Sequence, residues 1–97
     1  MVGGTRKMKR TIITVVGKDT IGIIASVCTY LSDHKVNILD ISQTIISGLF
    51  NMMMVTDTTN CTVSAQQMAE DLKKLGESMN LIIRSQNEEI FNMMHRV

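Results

Sequence analysis

The sequence predicts an α+β fold, a ferredoxin-like βαββαβ sandwich with a four-stranded antiparallel sheet. Three observations lead to it: short β-branched or alternating apolar segments, two segments with helical periodicity, and their order β-α-β-β-α-β along 97 residues. Right-handed crossovers then give the strand order 4-1-3-2 and place both helices on one face of the sheet. The length and a hydrophobic fraction of 44% indicate one folded domain.

The first strand and the first helix are separated by a short loop. Residues Thr11 to Val16 are almost all β-branched, which favours a central strand. The loop Gly17 to Gly22 follows. Apolar residues at helical spacing then predict a helix from Gly22 to His34, and they are Ile23, Ile24, Val27, Tyr30 and Leu31.

Two strands and a tight turn come next. Residues Asn37 to Ser47 alternate between apolar and polar side chains, which is typical of a strand with one solvated face. Ser47 and Gly48 form a turn signal, and Leu49 to Thr56 predicts the third strand. In the strand order above, the second strand lies at an edge, and an unpaired edge favours dimerisation.

The last elements complete the fold. Ser64, followed three residues later by Gln67, matches a capping box and starts the second helix. Residues Leu81 to Ser85 predict the fourth strand. Asn87 is expected to cap a short C-terminal helix. We expect residues 1–8 to be a flexible basic arm and residues 9–97 a single domain.

Composition excludes several classes of function. The net charge of +1 argues against a nucleic-acid binder or a membrane-surface binder, and no apolar run spans a bilayer. No stretch resembles a signal peptide, so a cytoplasmic protein is expected. Cys28 and Cys61 stand 33 positions apart and match no local metal motif. We expect no metal and no cofactor.

The ferredoxin-like scaffold supports many functions, so the residues must decide. An RNA-recognition module needs aromatic residues on its central strands, and here they carry only Phe50. A metallochaperone needs cysteines in the first loop, which has none. An acyl-phosphate-cleaving enzyme needs an arginine there, and the loop offers only Lys18.

The first loop instead suits a free amino acid. Gly17 and Gly22 allow a ligand to approach the backbone, and free N–H groups at a helix start favour a carboxylate. Asp19 offers a charge for an ammonium group. Helix capping and turn formation explain the same residues equally well.

Several motifs together resemble the ACT domain, a regulatory module that binds amino acids. Residues Val15 to Val27 resemble its opening strand, Asp-x-x-Gly turn and first helix, and Val36-Asn37-Ile38 resembles the start of its second strand. Residues Asn37 to Thr44 and Phe50 to Val55 are similar to a narrower group of small stand-alone ACT proteins. The resemblance covers about residues 9 to 95. Ile21 stands where many ACT domains have proline.

The resemblance implies a dimer with amino-acid ligands at its interface, between the first loop of one subunit and the edge strand of the other. The residues it implicates are Asp19, Thr20, Ile21, Gly22, Ile23, Asn37 and Ile38. Asn37 has an equally good structural role in the turn before the strand. Gln43 interrupts the apolar alternation, and we interpret it as an interface or ligand group, or else as an exposed edge position.

The functional hypothesis is a non-enzymatic regulatory module. It would bind an amino acid as a homodimer and act through a partner protein, without nucleic acid or membrane. One alternative is a constitutive dimerisation or adaptor domain without a ligand, and another is a small enzyme. Catalysis has little support, because no nucleophile accompanies His34 or His95 in the sequence.

Overall fold

The computed structural model of the chain describes residues 9–18 and 22–88. Four strands and two helices follow one another in the predicted order. They are β1 (Arg10–Gly17), α1 (Ile23–Asp33), β2 (Asn37–Ile46), β3 (Leu49–Asp57), α2 (Ala65–Ser78) and β4 (Ile82–Asn87).

The four strands form one antiparallel sheet in the order β2-β3-β1-β4, which confirms the predicted topology. The central strand β1 pairs without interruption with both neighbours: Val15 lies opposite Met52 of β3 and Ile83 of β4. The register between β2 and β3 shifts once, between Ile38 and Asp40, so Leu39 is the extra residue of a β-bulge.

The hydrophobic core lies between the sheet and the two helices. The helices contribute Ile23, Val27, Leu31, Met68 and Leu72, and the strands β1, β3 and β4 contribute Ile13, Val15, Phe50, Met52, Met54 and Ile83. Both helices therefore cover the same side of the sheet, as predicted; we call it the helix face and the other side the open face. Because strand residues alternate between faces, Val16, Met53 and Ile82 lie on the open face.

The ends of α2 show how sequence sets its limits. The Ser64 hydroxyl accepts a hydrogen bond from the Gln67 backbone amide at 3.0 Å, which confirms Ser64 as the cap. The Gln67 side chain does not complete a capping box, because its Nε2 donates to Asp71 Oδ1. After Ser78 the chain turns sharply through Asn80, whose φ is 58°. The Gly76 carbonyl accepts hydrogen bonds from both Met79 N and Leu81 N, at 3.0 and 2.8 Å. These bonds hold the turn between α2 and β4 against the end of the helix.

The fourth strand is two residues longer at its C-terminal end than the sequence predicts. Gln86 and Asn87 pair with Ile12 and Thr11, because β1 already begins at Arg10 and offers partners along its whole length. Asn87 therefore belongs to β4. Glu88, which follows Asn87, is helical as predicted. The rest of the predicted C-terminal helix, from residue 89 onward, lies outside the described residues, as do residues 1–8 of the predicted arm.

Candidate functional site

The loop between β1 and α1 is described only at its two ends. Asp19, Thr20 and Ile21 lie outside the described residues. Gly22 is the N-cap of α1 with a φ of 78°, a conformation that favours glycine, and no described side chain caps the helix. Because an α-helix leaves its first N–H groups without intrahelical partners, the start of α1 offers donors to an anion.

Ile23 does not line an open site. Its side chain is buried in the core beside Val27 and Leu31. It holds the start of α1 against the sheet, so only its backbone is placed to meet a ligand. Gly22, in contrast, is exposed, and a Cβ built on it would meet nothing within 4 Å.

Asn37 and Ile38 lie at the opposite end of the sheet from this loop. Asn37 pairs with Asp57, which pairs with Arg10 at the start of β1, whereas the loop follows Gly17 at its end. Gly17 is seven positions along β1 from Arg10, which is about 23 Å at roughly 3.3 Å per residue. One chain alone therefore does not bring the two halves of the predicted site together.

Asn37 has a carboxylate beside it. It is exposed, and its direct cross-strand neighbour is Asp57. The Asp57 carboxylate accepts hydrogen bonds from the Thr59 hydroxyl at 2.6 Å and the Thr59 amide at 2.9 Å, which lower the pKa of Asp57. A charged carboxylate at this end of the sheet favours a cationic group next to Asn37.

Gln43 lies near the middle of the edge strand β2, opposite Met52 and on the helix face. Its neighbours on that face are Ile41 and Ile45, which are 41% and 70% exposed. No helix of the described chain covers these three side chains. Together they form an apolar stripe with one amide in it, which we call the edge stripe (Ile41, Gln43 and Ile45).

The sheet has a second edge, β4, with a different character. It has six residues, compared with ten for β2, and it carries the exposed Arg84. Short and charged edges resist pairing with another chain. The longer edge with the edge stripe is therefore the better candidate for contact with a second subunit.

A polar cluster joins the two helices on their outer side. The Tyr30 hydroxyl donates to Asp71 Oδ2 at 2.6 Å, Gln67 Nε2 donates to Asp71 Oδ1 at 2.7 Å, and the Tyr30 ring stacks on His34 with centroids 4.1 Å apart. The hydrogen bond from Tyr30, followed by that from Gln67, lowers the pKa of Asp71. Burial and the bond to Asp71 raise the pKa of Tyr30. Each polar group has a partner, so the cluster fastens α1 to α2.

A family model for the ACT domain matches residues 9–86. This chain belongs to the ACT domain family. A UPF0237 protein of Bifidobacterium longum is 58% identical over 90 residues, which cover 93% of this chain and all of that protein. A UPF0237 protein of Lactococcus lactis is 48% identical over 88 residues, covering 91% of this chain and 99% of the relative.

Solved structures share the fold. An ACT domain protein from Streptococcus pneumoniae superposes with a TM-score of 0.78 at 34% identity, covering 88% of this chain and 96% of that one. A formyltetrahydrofolate deformylase from Pseudomonas syringae superposes with a TM-score of 0.75 at 20% identity, covering 84% of this chain and 28% of that enzyme. The likeness to the deformylase shows the fold alone.

The described part of this ACT domain contains few residues that are candidates for metal binding or catalysis. No group of three His, Cys, Asp or Glu residues there is arranged to hold a metal ion. Cys28 and Cys61 are both unpaired and half-buried. His34 is the C-cap of α1, and its Nδ1 lies 2.8 Å from the Tyr30 carbonyl oxygen. Among the residues described, no helix is long and apolar enough to cross a membrane.

Sequence reasoning missed one concave surface. A cleft of about 560 Å³ lies where β1 ends, and it is lined by Val16, Gly17, Lys18, Leu49, Met79, Asn80 and Ile82. These residues come from three separate segments, so no local motif marks them. The signal available in the sequence was Ile82, an apolar residue on the solvated side of an edge strand.

Proposed function

We propose that this ACT domain is a non-enzymatic regulatory module that binds a free amino acid between two copies of the chain. The observation that carries the proposal is the separation of the first loop and Asn37 by the full length of the sheet. Two-fold symmetric pairing of the edge strand β2 is antiparallel. That pairing brings the start of one β2, with Asn37, beside the loop end of the other subunit.

The edge stripe supports this arrangement. Ile45 is 70% exposed on a strand whose outer N–H and C=O groups have no partner strand within the described chain. Pairing two such edges buries apolar surface and satisfies these backbone groups. Near the two-fold axis, the Gln43 amide of each subunit is placed to bind its copy or a ligand.

The charges on the two sides suggest how an amino acid would lie. The free N–H groups at the start of α1 favour its carboxylate. Asp57 of the partner subunit, beside the partner's Asn37, favours its ammonium group. This orientation assigns the carboxylate to Gly22 and its successors, and the ammonium to the start of the partner's edge strand.

The proposal extends to partners and location. The ACT relative in Bifidobacterium longum is matched along its whole length, so that relative consists of this domain alone. A module of this size is expected to regulate by contact with another protein, without nucleic acid. The half-buried, unpaired Cys28 and Cys61 support a reducing, cytoplasmic environment.

The experiment compares Ile45→Lys with Ile82→Lys, which alter exposed isoleucines on opposite edges of the sheet. Light scattering at micromolar concentration should give a dimer for wild type and for Ile82→Lys, and a monomer for Ile45→Lys. Thermal unfolding with each common amino acid should raise the melting temperature of the dimers only, because a ligand at 100 times its Kd adds about 2.7 kcal/mol.

Two results would contradict the proposal. A wild-type monomer, or a dimer broken only by Ile82→Lys, would remove the interface at β2. An intact dimer that no amino acid stabilises would favour the alternative hypothesis, a constitutive dimerisation or adaptor domain.

A further inference from the structure

The cleft at the end of β1 is separate from the interface proposed above. It lies on the open face and within one chain, and its lining residues include none from β2. Its volume of about 560 Å³ falls in the usual range for small-molecule sites, and it exceeds the volumes of two other clefts formed by described residues, about 270 and 150 Å³.

The floor and sides of the cleft are apolar. Val16 and Ile82 are direct partners between β1 and β4, and both lie on the open face. Ile82 is 59% exposed and Leu49 is 38% exposed. Large exposed apolar side chains that lie together in a cleft are typical of a binding site. Met79 completes the lining from the turn between α2 and β4.

The polar groups lie at one end of this apolar surface. One step beyond the pair Gly17–Phe50, and two steps beyond the pair Val16–Ile82, place Lys18 between Leu49 and the turn that holds Asn80. Both Lys18 and Asn80 are exposed and line the cleft. Within the described residues, neither side chain has a hydrogen bond or ion pair assigned to it, and Lys18 is the only charged residue of the lining.

The side formed by the turn is held in place before any ligand arrives. Met79 N and Leu81 N both donate to the Gly76 carbonyl, at 3.0 and 2.8 Å. Gly76 has no room for a side chain, because a Cβ there would lie 2.8 Å from Leu81 O, and a Cβ on Gly17 would displace the end of the Leu81 side chain. The close packing around Leu81 fixes the turn against the end of β1, which reduces the entropy lost on binding.

We propose that this cleft binds a small carboxylate with a branched hydrocarbon chain, with the carboxylate on Lys18 and Asn80 and the chain against Val16, Leu49, Met79 and Ile82. A single cation with an amide selects an anion. None of the described lining residues is acidic, so the proposal requires no α-amino group on the ligand. The cleft shares Gly17 and Lys18, the start of the first loop, with the proposed amino-acid site, but it takes no residue from β2 and needs no second subunit.

The test titrates the full chain with 4-methylpentanoate, followed by amide chemical shifts. Saturable shifts are expected at residues 16–18, 49 and 79–82. The neutral isostere 4-methylpentanamide should bind about tenfold more weakly, the scale of a hydrogen bond to a charged group. Lys18→Gln should cause a similar loss, while Lys73→Gln, an exposed lysine on α2, should bind like wild type.

A second pair of variants tests the apolar lining. Ile82→Glu should abolish binding of 4-methylpentanoate by charge repulsion, and Ile46→Glu, at an isoleucine of similar exposure outside the cleft, should leave it within twofold. The monomeric Ile45→Lys variant should also keep this binding, which separates the inference from the dimer proposal. Equal affinity for the acid and the amide, or shifts unaffected by Ile82→Glu, would overturn it.

Discussion

Gly76 lies inside α2, where glycine normally weakens a helix by about 1 kcal/mol relative to alanine. Propensity alone therefore predicts that Gly76→Ala stabilises the protein. The structure predicts the opposite, because Gly76 is buried and a Cβ there would lie 2.8 Å from Leu81 O and 3.1 Å from Ile83 Cγ1. A carbon and an oxygen normally approach to about 3.3 Å.

The overlap cannot be relieved cheaply. Leu81 N donates to the Gly76 carbonyl at 2.8 Å, so moving Leu81 away from a new Cβ lengthens that bond. Overpacking of a tight site costs about 1–3 kcal/mol, and the weakened hydrogen bond adds to it. After the propensity gain, we expect Gly76→Ala to lose about 1–2 kcal/mol, which lowers the melting temperature by roughly 5–15 °C.

Urea denaturation and calorimetry of Gly76→Ala measure this effect. Lys73→Gly is the matched control, because it introduces a glycine at an exposed position of the same helix and should lose about 1 kcal/mol through propensity alone. An increase in the melting temperature of Gly76→Ala would refute the close-packing argument and the rigid turn beside the cleft.

Two further predictions concern single contacts. Gly22 has a φ of 78°, so Gly22→Val should lower the free energy of unfolding by about 1–2 kcal/mol, measured by urea denaturation. Gly22→Asn should lower it less, because asparagine tolerates that conformation. Equal losses for the two variants would contradict the argument from backbone conformation. Tyr30→Phe should raise the pKa of Asp71, measured by carboxyl carbon shifts, because it removes the first cause of the lowered value. Because the pKa of Asp71 is lower in the folded state, its contact with Tyr30 stabilises the folded protein above pH about 4, and this stabilisation is lost as the pH falls. Tyr30→Phe should therefore lose less stability in acid than wild type. An unchanged Asp71 titration would contradict this reasoning.

Much of the fold was predictable from the sequence. Three features depend only on neighbours within a few residues, so the local sequence pattern was enough to predict them: the β-branched run in β1, the helical spacing from Ile23 to Leu31, and the Ser64 cap. The C-terminal end of β4 was not predictable in this way, because Gln86 and Asn87 are polar and join the sheet only where β1 offers them partners. The need for glycine at position 76 was also not predictable locally, because it depends on the tertiary contact with Leu81 and Ile83.

The candidate site was predictable only in part. The resemblance implied Gly22 and Asn37, and the interrupted alternation in the second strand singled out Gln43. The structure shows that Gly22 and Asn37 lie at opposite ends of the sheet. Sequence spacing cannot reveal this separation, because it depends on strand register and direction. The cleft beside Lys18 was missed for the same reason: its lining meets only after the sheet has formed.

The central claim is that β2 pairs with its own copy in an antiparallel dimer, so that each site takes residues from both subunits. Spin-label distances test it most directly, with Cys28 and Cys61 replaced by serine and a single label at Ser42 or at Asn37. Antiparallel pairing near the middle of β2 predicts roughly 20 Å or less between Ser42 labels and roughly 30 Å or more between Asn37 labels, at about 3.3 Å per residue from the axis. Long distances between Ser42 labels, or no dipolar coupling at either position, would contradict it.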